Sequence, residues 1–317
     1  MNKVALIIPY FGKWPEWMDL YLYSCSKQKG IDFLFYTDCD IPQKVYENTI
    51  FHSVSFASYC DFVSQKLSID FHPRAAYKLC DLKVFYGIVH EEELRQYEWW
   101  GFGDIDLVYG DLGLLLNKHN LEKYDLLTTH VDRIAGHFTV MRRESKYTKL
   151  CMEILNRKQL LCDDINHGID ENAFTRIAMS FKYKLIGRIY YHLVRRITFP
   201  DCKHYWFSKL ASCLNFLPSR ILMKEFFTTF KPRPGQVCTY NPKTSEIFCP
   251  TNQISKIQFG GGKIYLHFMC FKKTPYYVTD NYWKDGFYQI PNGYDFSKGG
   301  VVNISTERIR LNKGSKH

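Results

Sequence analysis

Two aspartates separated by a single residue, Asp104 and Asp106, have the type and spacing of metal ligands. Apolar and aromatic residues precede the pair and a second apolar run follows it, a pattern that predicts a strand end. Alternate side chains of an extended chain share a face, so the two carboxylates lie together and repel each other unless a cation separates them. Mg²⁺ or Mn²⁺ suits an all-oxygen site that substrate phosphates complete. Such a short motif is also common in surface turns, so its meaning depends on the rest of the chain.

The elements that would position these aspartates begin with a βαβ pattern. Residues 4–8 predict a buried strand, residues 17–27 a helix and residues 33–38 a second strand. This spacing indicates an α/β fold with a parallel sheet. Ligands of such sheets bind beyond the carboxyl ends of the strands. The residues that fall there are Pro9, Tyr10, Phe11, Thr37 and Asp38.

Further candidate residues follow on later elements. Residues 75–97 predict a helix that carries Lys78, Asp81 and Lys83 near its start. Gly136 lies in a turn before a strand, and glycine lets the backbone approach a ligand closely. Asp170 and Glu171 lie in the first turn of a helix predicted to run to about residue 181, a place where acidic residues are also ordinary helix chemistry.

Nearly all of the excess positive charge lies in residues 182–234. Eleven basic and two acidic residues give this segment +9, against +10 for the whole chain. Large aromatic residues lie between the cations, a composition that suits an anionic membrane surface. A helical subdomain with buried aromatics and solvated cations explains the same composition. A third explanation is nucleic-acid binding, in which the aromatic rings stack on bases, but nothing in the sequence resembles a nucleic-acid-binding module.

Composition limits the class of protein. The chain has 317 residues, of which 46% are hydrophobic and 17% aromatic, which indicates a folded protein. Eleven cysteines without a Cys-x-x-Cys pair favour reduced thiols over a zinc site or a disulfide framework. The short apolar N-terminus is not a convincing signal peptide, and no run of about 18 apolar residues predicts a membrane-spanning helix.

The order of these motifs resembles the GT-A fold, nucleotide-sugar-dependent glycosyltransferases. The resemblance rests on Asp104-Ile105-Asp106, the Gly136 loop, the acidic helix start at Asp170 and a late His267 followed by Lys272 and Lys273. Within that fold, three stretches look like a bacterial family found with capsule and O-antigen synthesis: Ile8 to Gly12, Lys78 to Lys83, and Trp100 to Asp106. The resemblance covers residues 1–181 and 255–275.

The resemblance implies a role for each candidate. Asp104, Asp106 and His267 match the ligands of Mn²⁺ or Mg²⁺, with Asp106 the more direct carboxylate ligand. Lys272 and Lys273 match the residues that meet the donor diphosphate. The uracil and ribose would lie against Pro9, Tyr10, Thr37 and Asp38, and further donor contacts would come from Lys78, Asp81, Lys83 and Gly136. Asp170, or else Glu171, would be the general base of an inverting enzyme, whereas a retaining enzyme would not need one.

The implied activity is transfer of a hexose from a UDP-sugar to a lipid-linked surface polysaccharide intermediate. A polyprenyl-diphosphate acceptor would place the protein in the cytoplasm, on the inner face of the cell membrane. Alternatives are a soluble glycosyltransferase acting on protein or free glycan, and a non-enzymatic nucleic-acid-binding protein. A metal-dependent phosphatase or nuclease is disfavoured because the sequence shows no histidine-rich cluster for a second metal.

The predicted architecture is α/β, a Rossmann-like and mostly parallel sheet flanked by helices, with a basic, aromatic-rich helical insertion or subdomain. Residues 1–181 form the catalytic core in this prediction, and residues 182–234 form the basic helical segment. Residues 235–300 complete the active site, and residues 301–317 form a basic tail.

Overall fold

The structure is a computed structural model that describes residues 4–194, 203–226, 228–229, 235–249, 263–271, 283 and 285–312. The described residues form these strands: β1 (Val4–Pro9), β2 (Ile31–Thr37), β3 (Thr49–Ser53), β4 (Trp99–Gly103), β5 (Leu107–Tyr109), β6 (Leu126–Thr128), β7 (Phe138–Arg142), β8 (Ile221–Met223), β9 (Val237–Asn241), β10 (Glu246–Phe248), β11 (Tyr265–His267), β12 (Val301–Ser305) and β13 (Ile309–Asn312). They also form these α-helices: α1 (Met18–Ser26), α2 (Phe56–Leu67), α3 (Tyr86–Val89), α4 (Glu91–Leu94), α5 (Lys118–Lys123), α6 (Lys146–Leu150), α7 (Arg157–Cys162), α8 (Thr175–Ala178), α9 (Phe181–Ile189) and α10 (Lys203–Cys213).

A seven-stranded sheet forms the centre of the protein, in the order β3-β2-β1-β4-β7-β6-β8. Strands β3, β2, β1 and β4 are parallel to one another, and β6 is parallel to β8. Only β7 runs antiparallel to its two neighbours in this sheet. The predicted α/β fold with a mostly parallel sheet is therefore confirmed, and the sheet is compatible with a Rossmann-like fold.

Apolar side chains cover both faces of the central sheet. Ala5 and Ile7 of β1 belong to one buried cluster, and Val4, Leu6 and Ile8 belong to the cluster on the other face. A strand that is buried on both faces has no polar side, so it appears in the sequence as an uninterrupted apolar run. This double burial is why β1 and β2 could be predicted from their composition.

The helix predicted over residues 75–97 is a chain of shorter turns. Ala76–Phe85 is a 3₁₀ helix, and α3 and α4 follow it. Side chains three residues apart eclipse each other in a 3₁₀ helix, and here Lys78 and Asp81 form an ion pair 3.1 Å long. The helix predicted from Asp170 to about residue 181 is likewise interrupted, at Met179.

Part of the described basic segment belongs to the core, so the central fold continues beyond the predicted boundary at residue 181. Strand β8 is the seventh strand of the central sheet, and Tyr183, Ile186 and Phe207 are buried in the cluster on one of its faces. The segment is partly helical, as predicted, because α9 and α10 lie in it. Among the residues that the structure describes, no helix combines the length and the apolar character needed to cross a membrane.

The predicted basic tail from residue 301 is also corrected. Strands β12 and β13 pair with each other, and β12 pairs with β9 in a second, antiparallel sheet ordered β10-β9-β12-β13. Val302 and Ile304 are fully buried while Val301 and Asn303 are less so, which is the alternation of a strand with one covered face. Residues 313–317 lie outside the described part.

Gly101 tests the packing of the central sheet. An added Cβ would lie 2.3 Å from the Thr139 carbonyl oxygen and 2.7 Å from Val140 Cγ1 on the neighbouring strand. We expect Gly101→Ala to lower the free energy of unfolding by about 3 kcal/mol, because the strands must move apart. Gly187→Ala in α9 is the control, since its Cβ meets no atom within 4 Å and alanine favours a helix by about 1 kcal/mol. Denaturant unfolding measures both, and equal midpoints for the two variants would contradict the packing.

Candidate active site

Strand pairing brings the late histidine to the two aspartates. Strand β4 ends at Gly103, the Asp104–Asp106 turn follows, and β5 begins at Leu107. Strand β11 runs antiparallel to β5 with His267 opposite Leu107, and the Phe268 amide donates to the Asp106 carbonyl oxygen at 3.1 Å. The aspartates follow β4 beside the end of β1, at the carboxyl edge of the sheet, as the sequence predicted.

The three side chains could hold a divalent cation. One ligand atom from each of Asp104, Asp106 and His267 lies within 4.8 Å of the others. The imidazole is buried, and its Nδ1 is hydrogen-bonded to Thr229 Oγ1 at 2.9 Å. Its Nε2 lies 3.3 Å from Asp106 Oδ1 and makes no hydrogen bond among the described residues. A buried nitrogen without a hydrogen bond is rare, and a histidine oriented through its other nitrogen is typical of a metal ligand.

Lys83 connects three of the predicted residues. Its ammonium donates to Asp104 Oδ1 and, at 2.8 Å, to the carbonyl oxygen of Gly136. Burial alone would lower the pKa of Lys83, but Asp104 and Asp170 raise it well above its usual value. Lys83 is therefore a permanent cation beside the candidate metal ligands.

Asp170 lies directly over Gly136. A Cβ on Gly136 would be 2.5 Å from Asp170 Oδ2, so only glycine permits this approach. Burial raises the pKa of Asp170 to about 7, with Lys83 acting in the opposite direction and Glu171 adding to the increase. A carboxyl group with this pKa can accept a proton near neutral pH.

Glu171 is placed differently from Asp170. Its carboxylate is half-exposed and pairs with Arg133 Nε at 3.3 Å. The segment Asp170–Phe174 is a π-helix rather than the predicted first turn of an α-helix, so the two acidic side chains have distinct surroundings. Of the two predicted candidates for the base, Asp170 is the one that lies near Lys83 and Asp104.

Lys78 and Asp81 are occupied by other parts of the protein. The buried Lys78 ammonium contacts Asp163 Oδ1 at 2.8 Å and the Leu160 carbonyl oxygen at 2.6 Å. Asp81 accepts hydrogen bonds from the amides of His167 and Ile169, the latter at 3.1 Å. Together these groups hold the loop that leads into Asp170, a positioning role in place of the donor contacts predicted for both residues.

The residues predicted to face a nucleotide lie at the same edge of the sheet. Asp38 accepts a hydrogen bond from the Gly12 amide at 2.7 Å, and the Tyr10 ring stacks on Trp14 at 5.1 Å between centroids. Thr37 is buried and accepts a hydrogen bond from the Cys39 amide at 3.0 Å. Pro9 is the last residue of β1. Lys272 and Lys273, predicted to meet the diphosphate, lie outside the described residues.

The edge with Tyr10 adjoins the candidate metal ligands. Burial raises the pKa of Tyr10 to about 12, and the charge of Asp106 adds to this increase. Tyr77, which sequence reasoning missed, has an exposed side chain. Desolvation raises the pKa of its hydroxyl to about 12, the charges of Asp104 and Asp106 add to this increase, and Lys83 acts in the opposite direction. Its place one residue before Lys78 was the only signal in the sequence.

A group of three histidines was also missed. The His137 ring stacks on His267 at 4.3 Å and lies 5.1 Å from the His130 ring. Burial and then the neighbouring His267 and His130 hold the pKa of His137 well below its usual value. His267 is far from His130 and His137 in the sequence, so no local motif could have identified the group. Within the described residues, Asp104, Asp106 and His267 are the group with metal-binding spacing.

Asp170 should make stability depend on pH. Its folded pKa of about 7 is above the usual value of 3.8, so its contribution is fully present below the unfolded pKa and is lost as pH rises through 7. We expect the free energy of unfolding of the metal-free protein, relative to Asp170→Asn, to fall between about pH 4 and 7. Denaturant titrations in EDTA measure this, with Asp285→Asn at an exposed carboxylate as control. Parallel pH profiles of wild type and Asp170→Asn would contradict the assignment.

Comparison with known proteins adds a family without an assigned activity. No curated protein matches the chain. Residues 6–212 match a protein family described as "Family of unknown function (DUF6625)". Asp104, Asp106 and Asp170 lie inside the matched region, and His267 lies beyond it. Because the match spans more than half of the chain, the protein belongs to the DUF6625 family.

Proposed function

We propose that this protein is a metal-dependent glycosyltransferase of the GT-A type that uses a UDP-sugar. The observation that carries the proposal is the cluster of Asp104, Asp106 and His267, with its buried Nε2, beside Tyr10 at the carboxyl edge of a Rossmann-like sheet. A nucleotide at that edge would extend its phosphates toward the two carboxylates. Bound there, Mn²⁺ or Mg²⁺ would stabilise the negative charge of a departing diphosphate.

The residues on the nucleotide side have distinct tasks in this proposal. The stacked pair Tyr10 and Trp14 offers an aromatic surface to the base, and Asp38 offers carboxylate oxygens to ribose hydroxyls. Lys83 orients the Asp104 carboxylate through a hydrogen bond to its Oδ1. Thr37 fixes the turn after β2 through its hydrogen bond with Cys39.

Asp170 is the proposed general base. It is buried beside Lys83 and against Gly136, and its pKa of about 7 lets it take a proton from an acceptor hydroxyl near neutral pH. Gly136 has no Cβ, which lets the Asp170 carboxylate lie against the backbone there. This assignment requires inversion at the anomeric carbon, because one positioned base and one displacement give an inverted product.

The acceptor side of the proposal is a lipid-linked surface polysaccharide intermediate at an anionic membrane. Large apolar side chains of the basic segment are exposed: Tyr191, Trp206 and Phe216. Such rings can enter a membrane interface while nearby cations meet headgroups. A soluble glycosyltransferase acting on protein or free glycan uses the same catalytic residues and differs only in this surface. A nucleic-acid-binding protein would leave the buried Asp-Asp-His cluster without a role.

Removing one carboxylate tests the metal site. We expect Asp106→Ala to weaken Mn²⁺-dependent binding of UDP by at least about tenfold, because a hard cation loses an oxygen ligand. Calorimetric titration of UDP with and without Mn²⁺ measures the effect. Asp111→Ala, which removes an exposed carboxylate from the loop after β5, should retain wild-type affinity. Unchanged metal-dependent affinity in Asp106→Ala would refute the proposed site.

Removing the base separates chemistry from binding. We expect Asp170→Asn to reduce turnover by about 10²-fold or more, while UDP affinity stays close to wild type. Glu171→Gln is the matched control and should retain most of the activity. NMR of the product must also show inversion at the anomeric carbon. Activity lost in Glu171→Gln and kept in Asp170→Asn would transfer the role to Glu171.

A further inference from the structure

A cleft of about 750 Å³ lies along the edge strand β8, between this strand and helices α9 and α10. It is distinct from the Asp104–Asp106–His267 cluster, because none of those residues lines it. Its walls contain five basic residues and no acidic ones: Lys123, Lys146, Lys182, Arg220 and Lys224. Serine hydroxyls, among them Ser180 and Ser212, line the space between these cations.

Lys182 is the most informative of these residues. It is 7% exposed, and its ammonium donates to the neutral amide oxygen of Asn215 at 3.0 Å. Burying a charge is costly unless an opposite charge accompanies it. Desolvation and, to a smaller extent, the nearby Lys123 lower the pKa of Lys182. An anionic neighbour would raise this pKa instead.

The other cations of the cleft divide into one that is neutralised and three that are not. Arg220 forms two hydrogen bonds with the Asp125 carboxylate, at 2.9 and 2.6 Å, so its charge is balanced within the protein. The ammonium groups of Lys123, Lys146 and Lys224 lie over the rings of neighbouring aromatic residues. Within the described part of the chain, these three and Lys182 form no ion pair with a carboxylate.

We propose that this cleft is a second ligand site, which binds a phosphate or diphosphate group through Lys182 and Lys123. Four ammonium groups without a counter-charge give the cleft a strongly positive potential. Hydroxyl groups and the first amides of α9, a helix of nine residues that begins just after Ser180, add hydrogen-bond donors for anionic oxygens. A compact anion of high charge satisfies such a set better than a single carboxylate does.

The test uses the full chain in EDTA at low ionic strength, with inorganic pyrophosphate as the ligand. We expect saturable binding in calorimetry, and a loss of affinity of about tenfold or more in Lys182→Met, because a charge-assisted contact is removed. Lys184→Met removes the same charge from an exposed position on the same helix and should stay within about twofold of wild type.

A second pair of variants tests the same proposal independently, in case Lys182→Met does not fold. Lys123→Met removes a cation of the cleft at the end of α5, and Lys118→Met removes one at the start of the same helix, outside the cleft. The first should weaken pyrophosphate binding and the second should not. Absence of saturable binding in the wild type, or equal losses in the cleft and control variants, would overturn the proposal.

The phosphate could belong to a lipid headgroup or to a free ligand, and vesicles distinguish these sources. Phosphatidylcholine vesicles with phosphatidic acid are compared with phosphatidylcholine alone. A headgroup source predicts that Lys182→Met, but not Lys184→Met, loses binding to the phosphatidic acid vesicles. If both variants bind the phosphatidic acid vesicles equally but Lys182→Met binds pyrophosphate more weakly than Lys184→Met, the ligand is a free phosphate or diphosphate.

Discussion

The candidate active site depends on one buried cation, Lys83. Its ammonium joins Asp104 to the Gly136 carbonyl oxygen, and its charge acts on Asp170. Without this cation, the carboxylates of Asp104, Asp106 and Asp170 would lie near one another without the compensating charge of this lysine, an arrangement that opposes folding. Lys83 also acts to lower the pKa of Asp170, against the burial that raises it to about 7. One side chain therefore orients Asp104 and limits the pKa of the neighbouring Asp170.

Much of the central fold could be read from the sequence because strands that are buried on both faces have a distinctive composition. Strands β1 and β2 were predicted close to their observed bounds for this reason, and the apolar run before Asp104 predicted the strand end at β4. Strand β8 was not predicted, because three residues, Ile221–Met223, within a basic and aromatic segment carry too little pattern to identify a strand. The pairing of β8 with β6 is a tertiary contact, and local composition cannot reveal it.

The site was predictable to the extent that its residues lie in short motifs or at strand ends. The Asp104–Asp106 pair and Asp38 follow strands, so the topology of a parallel sheet was enough to predict that they lie at one edge. Gly136 precedes β7 and reaches the same edge because β7 runs antiparallel to β4. Lys78 shows the limit of this reasoning. A lysine near a helix start has the same local sequence whether it faces a ligand or a buried carboxylate, and only the loop containing Asp163 determines its role.

Residues beyond the family match complete both the sheet and the site. The match ends at residue 212, yet β8 closes the edge of the central sheet and β11 supplies His267 to the aspartates. The regions around β8 and β11 are also in contact through a series of side chains. Glu225, which follows β8, lies 3.4 Å from His130. The His130 ring contacts His137, and the His137 ring stacks on His267 of β11. The strand that lines the basic cleft thus leads directly to the histidines behind the candidate metal ligands. A chain ending at the matched region would lack the edge strand, the third ligand and one wall of the cleft, so these parts of the structure depend on the C-terminal third of the protein.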